Sequence, residues 1–68
     1  MVLSDIIKNR RAKLKLSQAD LAEMASVSLA TVKDIERGRG NPSIRTVEKL
    51  LEVLGLEIEF RIVKQFNR

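Results

Sequence analysis

Two helix-start signals lie close together near the middle of the chain. Ser17 can cap the N-terminus of a helix, and Asp20, three residues later, completes a capping box with it. Ser28 is a second candidate N-cap, also followed by apolar residues at helical spacing. The helix that Ser17 begins is predicted over residues 18–25, so only residues 26–28 link it to the helix that Ser28 begins. So short a link forces the two helices to cross steeply rather than run antiparallel.

Two further helices are predicted, one on each side of this pair. The first covers residues 4–14. The last follows the Gly-rich loop 38–43, is capped by Ser43 or Asn41, and closes at Gly55. The core-facing stripes of the four helices are Leu3, Ile7, Arg11 and Leu14; Leu21, Ala22 and Ala25; Val32 and Ile35; and Ile44, Val47, Leu50, Leu51 and Leu54.

After residue 55 the apolar period changes from 3.6 to 2, which predicts a half-buried strand over residues 56–63. One strand cannot satisfy its backbone hydrogen bonds alone, and the sequence shows no second strand. We therefore expect the same strand of another copy as its partner. Its apolar side, the predicted dimerisation surface, comprises Leu56, Ile58, Phe60 and Ile62.

The predicted fold class is therefore mostly α. Residues 1–55 form a four-helix helix-turn-helix domain. Residues 56–68 form one C-terminal β-strand that pairs in a dimer, and a short tail.

Composition excludes several classes of protein. The chain has 68 residues with no Cys and no His. The hydrophobic core of a chain this short rarely gives a folding stability above about 3–5 kcal/mol without a disulfide, a bound metal or oligomerisation. The absence of Cys excludes disulfides, and the absence of His as well nearly excludes a zinc site. Oligomerisation is therefore the remaining source of additional stability. Without the commonest general base and the thiol nucleophile, we expect no enzyme. No metal, cofactor or small-molecule ligand is expected either.

The distribution of hydrophobic residues argues against a membrane protein. No apolar run approaches the roughly 20 residues that a membrane span needs. The first residues lack the basic and uninterrupted apolar regions of a signal peptide. We expect a cytoplasmic protein with no membrane partner.

The positive charge is concentrated in the first two thirds of the chain. Residues 1–45 carry nine basic and five acidic side chains, whereas residues 46–68 carry four of each. The whole net charge of +4 therefore lies in the first part. A basic region beside a neutral one indicates a surface that faces a polyanion, although a merely soluble basic surface has the same balance.

The residues around the two central helices form a spaced set. The set reads Leu16-Ser17-Gln18-Ala19-Asp20-Leu21-Ala22-Glu23-Met24-Ala25, then Val27-Ser28, Thr31-Val32, Ile35-Glu36-Arg37-Gly38 and Asn41-Pro42-Ser43. It resembles the phage repressor/Cro (Xre) family over residues 4–55. The family often has Gly where this chain has Lys15 and Ser26, and a left-handed conformation there costs roughly 1 kcal/mol for a residue with a Cβ. The resemblance implies DNA binding, with the third helix in the major groove.

The start of the third helix is the candidate surface for reading bases. It points outward, away from the core residues Val32 and Ile35. Lys33 can donate to guanine and Asp34 can accept from cytosine, while apolar side chains can touch a thymine methyl. The alternative is a solvated face with two stray apolar residues. The candidates are Ser28, Leu29, Ala30, Thr31, Lys33 and Asp34.

Candidate phosphate contacts surround this helix. Gln18 begins the second helix, where backbone amides and the helix dipole favour a phosphate, and the family uses the matching glutamine in this way. A surface glutamine without a role is the alternative. Arg37 can simply complement a helix C-terminus. The remaining candidates lie in and after the Gly-rich loop: Arg39, Asn41, Ser43 and Arg45.

Arg11 interrupts an apolar stripe, so its charge needs a partner or a route to water. Glu36, on the inner side of the third helix, is the predicted partner, and the family has a matching Arg–Glu pair.

The chain's two aromatic residues, Phe60 and Phe66, are both C-terminal. The basic part therefore lacks the stacking platform typical of single-strand binders, which favours duplex DNA.

The pattern after the last helix, Leu54-Gly55-Leu56-Glu57-Ile58-Glu59-Phe60-Arg61, is similar to HipB-type antitoxins. Those are dimers joined by a C-terminal β-ribbon that repress their own operon and bind a kinase-like toxin. The resemblance implies a dimeric repressor of a palindromic operator, associated with the nucleoid, and a toxin partner. A stand-alone phage or host regulator is the first alternative. A protein-interaction module that has lost DNA binding is the second.

Overall fold

The computed structural model describes residues 2–64, which contain four short helices. Their bounds are α1 Leu3–Lys13, α2 Gln18–Ala25, α3 Leu29–Glu36 and α4 Ile44–Val53. The bounds of α2 are those the sequence predicts, and α1 is shifted by one residue. Helix α2 packs against both α3 and α4, and α1 packs against α3.

Serine side chains begin three of the helices. The Oγ atoms of Ser17, Ser28 and Ser43 accept hydrogen bonds from the backbone N–H three residues later. At Ser17 the box is reciprocal, because its own N–H donates to Asp20 Oδ2 at 3.0 Å. Each such cap contributes about 1 kcal/mol. The predicted caps are confirmed, and of the two candidates for α4 the structure uses Ser43 rather than Asn41.

All four helices end in the same backbone motif. A residue with positive φ follows the last turn: Lys15 (57°), Ser26 (57°), Gly38 (72°) and Gly55 (73°). The next residue's N–H then bonds a carbonyl five residues back, as in Val27 to Ala22 at 2.9 Å and Leu56 to Leu51 at 2.8 Å. This is the Schellman arrangement, for which glycine is the usual residue. Two of the four helices form it without glycine.

The core lies where the four helices meet. Its buried apolar residues are Ile7, Leu21, Ala22, Ala25, Val32, Ile35, Val47, Leu50, Leu51 and Leu54. Four residues of the predicted stripes are not among these buried residues. Leu3 is half-buried and packs against the core, and Arg11 is half-buried. Leu14 is 41% exposed because α1 ends at the preceding residue and the chain turns away. Ile44 is 62% exposed because it begins α4 one turn before the first buried position, Val47.

One long-range contact fixes the end of α4. Arg10 Nε donates to the backbone oxygen of Leu54 at 2.8 Å, which satisfies a carbonyl that the helix leaves free. No signal in the sequence pointed to this role of Arg10. The bond ties α1 to the point where the C-terminal segment begins.

Residues 56–64, the C-terminal segment, are not assigned to a strand in the described part of a single chain. Leu56 and Ile58 pack against the core. Phe60 and Ile62 are 84% and 91% exposed in a single chain, so these two residues of the predicted dimerisation surface do not pack against their own helices. A partner strand was predicted to come from a second copy, and that pairing stays a prediction. None of the helices described is long and apolar enough to cross a membrane.

Candidate nucleic-acid interface

Helix α3 has one buried and one exposed side. Val32 and Ile35 are buried against the other helices, which fixes the rotation of α3 about its axis. The opposite side presents Leu29, Ala30, Lys33 and Asp34, all of them exposed. We call this side the α3 face. It combines a cation, a carboxylate and two apolar side chains on a helix held by its core contacts.

Ser28 and Thr31 are more constrained than the sequence suggested. Ser28 Oγ accepts from the Thr31 N–H at 3.1 Å, and the two hydroxyls bond each other at 2.8 Å. Thr31 is half-buried. These two predicted readout residues therefore cap and brace the start of α3, which leaves a smaller share of their hydrogen-bonding capacity for a ligand.

A polar network joins α1, α2 and α3 beneath this face. Arg11 binds Glu36 through two parallel hydrogen bonds, Nε to Oε2 at 2.7 Å and Nη2 to Oε1 at 2.9 Å. Its Nη1 also donates to the carbonyl of Leu16 at 2.8 Å. The expected Arg11–Glu36 ion pair is thus present, in the bidentate geometry that arginine makes with carboxylates.

The glutamate in this network stays ionised at neutral pH. Burial by itself raises the pKa of Glu36, but hydrogen bonds from Arg11 and Gln18 and the positive charges of Arg11 and Lys8 outweigh it and hold the pKa below its usual value. The hydrogen bond to Glu36 raises the pKa of Arg11. Among the described residues, every buried side-chain nitrogen and oxygen has a hydrogen-bond partner.

Gln18 takes part in this network, a role that sequence reasoning missed. Its Nε2 donates to Glu36 Oε1 at 3.1 Å, and the side chain is half-buried. One amide proton is thereby used inside the protein and the second remains for a ligand. Its position in the first turn of α2 gives no signal of this bond, because the bond joins two helices that meet only in the folded chain.

The loop between α3 and α4 lies beside the α3 face. A shallow groove of about 210 Å³ is lined on one side by Thr31 and Asp34 and on the other by residues 39–42. The structure therefore brings Arg39 and Asn41 next to the α3 face, and both are exposed. Arg45 is exposed on the first turn of α4.

Ser43 has a structural role in this loop. Its Oγ accepts from the Thr46 N–H and donates to Thr46 Oγ1, both at 3.1 Å. The hydroxyl is therefore engaged in the α4 cap. A phosphate at this point would meet the backbone of the loop more readily than the serine hydroxyl.

The chain is similar to known proteins over most of its length. The helix-turn-helix family model matches residues 7–60. The chain belongs to this helix-turn-helix family, as the resemblance to phage repressors indicated.

Three relatives illustrate the range of the family. The immunity repressor protein of Bacillus phage phi105 is 41% identical over 58 residues, covering 85% of this chain and 40% of the relative. A helix-turn-helix-type transcriptional regulator of Deinococcus deserti is 33% identical, covering 85% of this chain and 45% of the relative. An uncharacterised regulator of this type from Archaeoglobus fulgidus is 36% identical, covering 78% and 75%. The chain thus spans less than half the length of the first two.

Proposed function

We propose that the protein is a dimeric, sequence-specific repressor that binds double-stranded DNA through the α3 face. The observation that carries this proposal is the fixed, exposed start of α3, with Lys33 and Asp34 one turn beyond Leu29 and Ala30. Relatives named as an immunity repressor and as transcriptional regulators support it. Such a protein acts in the cytoplasm, at the nucleoid.

In this proposal α3 lies in the major groove and its side chains read base edges. Lys33 donates to guanine O6 and N7, and Asp34 accepts from cytosine N4. Leu29 and Ala30 contact thymine methyl groups. Ser28 and Thr31, already bonded to each other, make at most supporting contacts.

Phosphate contacts then come from both sides of α3. On one side Gln18 offers its second amide proton, and its orientation is fixed by the bond to Glu36. On the other side Arg39 and Asn41 extend from the loop beside α3, followed by the backbone at Ser43 and by Arg45. Contacts of this kind set the orientation of the protein on the duplex without carrying sequence information.

The proposed dimer pairs residues 56–63 of two copies antiparallel, with Phe60 on the two-fold axis. This register sets Glu59 opposite Arg61 and Ile58 opposite Ile62, which are favourable cross-strand pairs. Centring on Glu59 would instead place two like charges opposite each other. The exposure of Phe60 and Ile62 in a single chain supports a partner at this point.

Selection of bound duplexes from a random pool, read by sequencing, tests the proposal. We expect an enriched inverted repeat whose half-sites lie one helical turn apart, bound with affinity that falls steeply with salt. A stable dimer that enriches no sequence and shows no salt-dependent binding would instead favour the protein-interaction module.

The biological setting we propose is that of a HipB-type antitoxin, which binds a kinase-like toxin and represses its own operon. Support comes from the residue pattern at positions 54–61. The name of the phage relative, an immunity repressor, favours a second candidate, a stand-alone regulator. Co-purification with the product of a neighbouring gene would identify the antitoxin. Operator binding by the purified protein, with no second protein co-purifying, would identify the stand-alone regulator.

A further inference from the structure

Two grooves run along the C-terminal segment, one on each side of Leu56. The larger, of about 590 Å³, lies toward α4, and we call it the α4 groove. The smaller, of about 230 Å³, lies toward α1 and is called the α1 groove. The α4 groove is lined by Glu48, Leu51, Glu52, Leu56, Glu57 and Ile58. The α1 groove is lined by Ile6, Asn9, Arg10, Lys13 and Leu56.

The two grooves carry opposite charge. Three carboxylates stand around the apolar floor of the α4 groove, at positions 48, 52 and 57. Two cations, Arg10 and Lys13, border the α1 groove. A strand that pairs with the C-terminal segment must lie beside one of the two grooves. If that strand is charged, the sign of its charge decides which groove it occupies.

Residues 60–64, Phe-Arg-Ile-Val-Lys, have the composition that suits the α4 groove. They contain two cations and no acid. Phe60, Ile62 and Val63 are 84%, 91% and 89% exposed, so these side chains find little cover within their own chain. Through Ile62 and Lys64, which lie on one face of a strand, a second copy of this segment therefore complements the α4 groove in both apolarity and charge.

The register of the proposed dimer brings the same residues to this place. With Phe60 on the axis, Ile62 of the second copy lies opposite Ile58, and its Lys64 lies opposite Leu56. Directly opposed residues in an antiparallel pair point to the same face. Because Leu56 and Ile58 face the core, the second copy's Ile62 and Lys64 face the helices as well.

We propose that the α4 groove is the docking site for residues 60–64 of a second copy, with its Ile62 on the apolar floor and its Lys64 against Glu48 and Glu52. The inference rests on the dimer proposed above. It specifies that the second copy pairs along the edge of the C-terminal segment at the α4 groove, not along the edge at the α1 groove. By two-fold symmetry each copy both offers its segment and receives the other, so every contact occurs twice.

Charge reversal tests the docking site in the full chain. Glu52→Lys and Lys64→Glu alter exposed side chains, so each variant should keep its helical circular dichroism. Sedimentation equilibrium at low salt should show about a tenfold higher dimer dissociation constant for each, because every reversal acts twice. The chain that carries both changes should regain most of the dimer affinity. High salt should reduce all these differences.

Lys13→Glu is the matched control, because it reverses an exposed charge in the α1 groove. It should leave the dissociation constant unchanged. Weakening by Lys13→Glu with no effect of Glu52→Lys would place the second strand in the α1 groove and overturn the inference. Failure of the double variant to recover would also overturn it.

A separate variant distinguishes this inference from the dimer itself. Ile62→Asp should abolish the dimer, since it places a charge on the apolar floor. If Ile62→Asp abolishes dimerisation but charge reversal at positions 52 and 64 has no effect, the proposed dimer is supported and the proposed docking site is refuted. A wild-type chain that stays monomeric at every concentration would refute both.

Discussion

Two side chains occupy backbone conformations that favour glycine. Lys15 and Ser26 have φ of 57°, at positions equivalent to Gly38 and Gly55 at the ends of α3 and α4. We predict that Ser26→Gly stabilises the fold by up to about 1 kcal/mol, because relief of strain outweighs the added entropy of the unfolded chain. Thermal or denaturant unfolding measures the change.

The control introduces the same residue where the backbone is ordinary. Ala12 is exposed within α1, and Ala12→Gly should cost roughly 1 kcal/mol. Should Ser26→Gly destabilise the protein by a similar amount, the strain argument for this turn would be wrong.

Lys33 and Arg39 are predicted to act differently on DNA. Lys33→Ala should relax base preference at one or two positions per half-site and cost about 1–3 kcal/mol for each guanine that the lysine would otherwise bind. Arg39→Ala should weaken binding to every duplex similarly and make the slope of log K against log salt shallower by about 1 per half-site. Binding measured on operator and random duplexes across a salt series separates the two. Equal weakening on both duplexes for Lys33→Ala would contradict base readout.

At the scale of the helices, the Arg11–Glu36 pair joins α1 to α3, and Gln18 brings in α2. Glu36→Gln removes the charge and leaves the half-buried guanidinium without its counter-ion. We predict that the free energy of unfolding falls by about 1.5–3 kcal/mol at neutral pH, the usual size for hydrogen bonds to charged groups. Chemical unfolding at neutral pH gives this number, and a decrease below about 0.5 kcal/mol would argue against the pair as a structural tie.

The same pair predicts a pH dependence. The pKa of Glu36 is lower in the folded chain than its ordinary value, so the carboxylate stabilises the fold above about pH 4.3. This contribution is lost as pH falls through the folded pKa. The wild type should therefore lose more stability than Glu36→Gln between about pH 7 and about pH 3. Glu23→Gln, an exposed change on α2, should follow the wild type; parallel curves for Glu36→Gln would refute the assignment.

Local signals predicted the helices well, because capping is a local interaction. Ser17 and Ser28 fix where α2 and α3 begin, whatever the rest of the chain does. Periodicity does not reveal where the core ends, so it placed Leu14 and Ile44 inside although both lie beyond the packed turns.

Contacts between distant elements were the least predictable part of the site. The Arg11–Glu36 pair was anticipated because a charge on an apolar stripe needs a partner. The bonds of Gln18 to Glu36 and of Arg10 to the Leu54 carbonyl arise only once the helices have packed. A polar residue on a polar surface carries no sequence signal of such a bond.

For the whole molecule, the proposed two-fold axis can be tested with a single thiol. The chain contains no Cys, so a Phe60→Cys variant has one thiol per copy. Residues directly opposite in an antiparallel pair have Cα atoms about 4.5–5.5 Å apart, within disulfide range. Mild oxidation should therefore cross-link Phe60→Cys rapidly, as seen on a non-reducing gel.

Glu59→Cys is the comparison, because residue 59 faces residue 61 of the other copy in this register. It should cross-link much more slowly. Faster cross-linking through position 59 would move the axis by one residue, which sets Ile58 opposite Phe60 and Leu56 opposite Ile62 and leaves the same apolar face toward the helices.

Among residues 2–64, the last side chains that pack against the core are those of Leu56 and Ile58, ahead of Phe60. We therefore expect folding and pairing to be separable steps, so that folded monomer accumulates before the proposed dimer forms. At low abundance the dimer population grows with the square of the number of chains. Occupancy of a two-half-site operator would rise in the same way, so a repressor built like this responds sharply to its own copy number. If the proposed dimer represses its own gene, that gene would stay active until the protein passes a threshold concentration and would then be shut off.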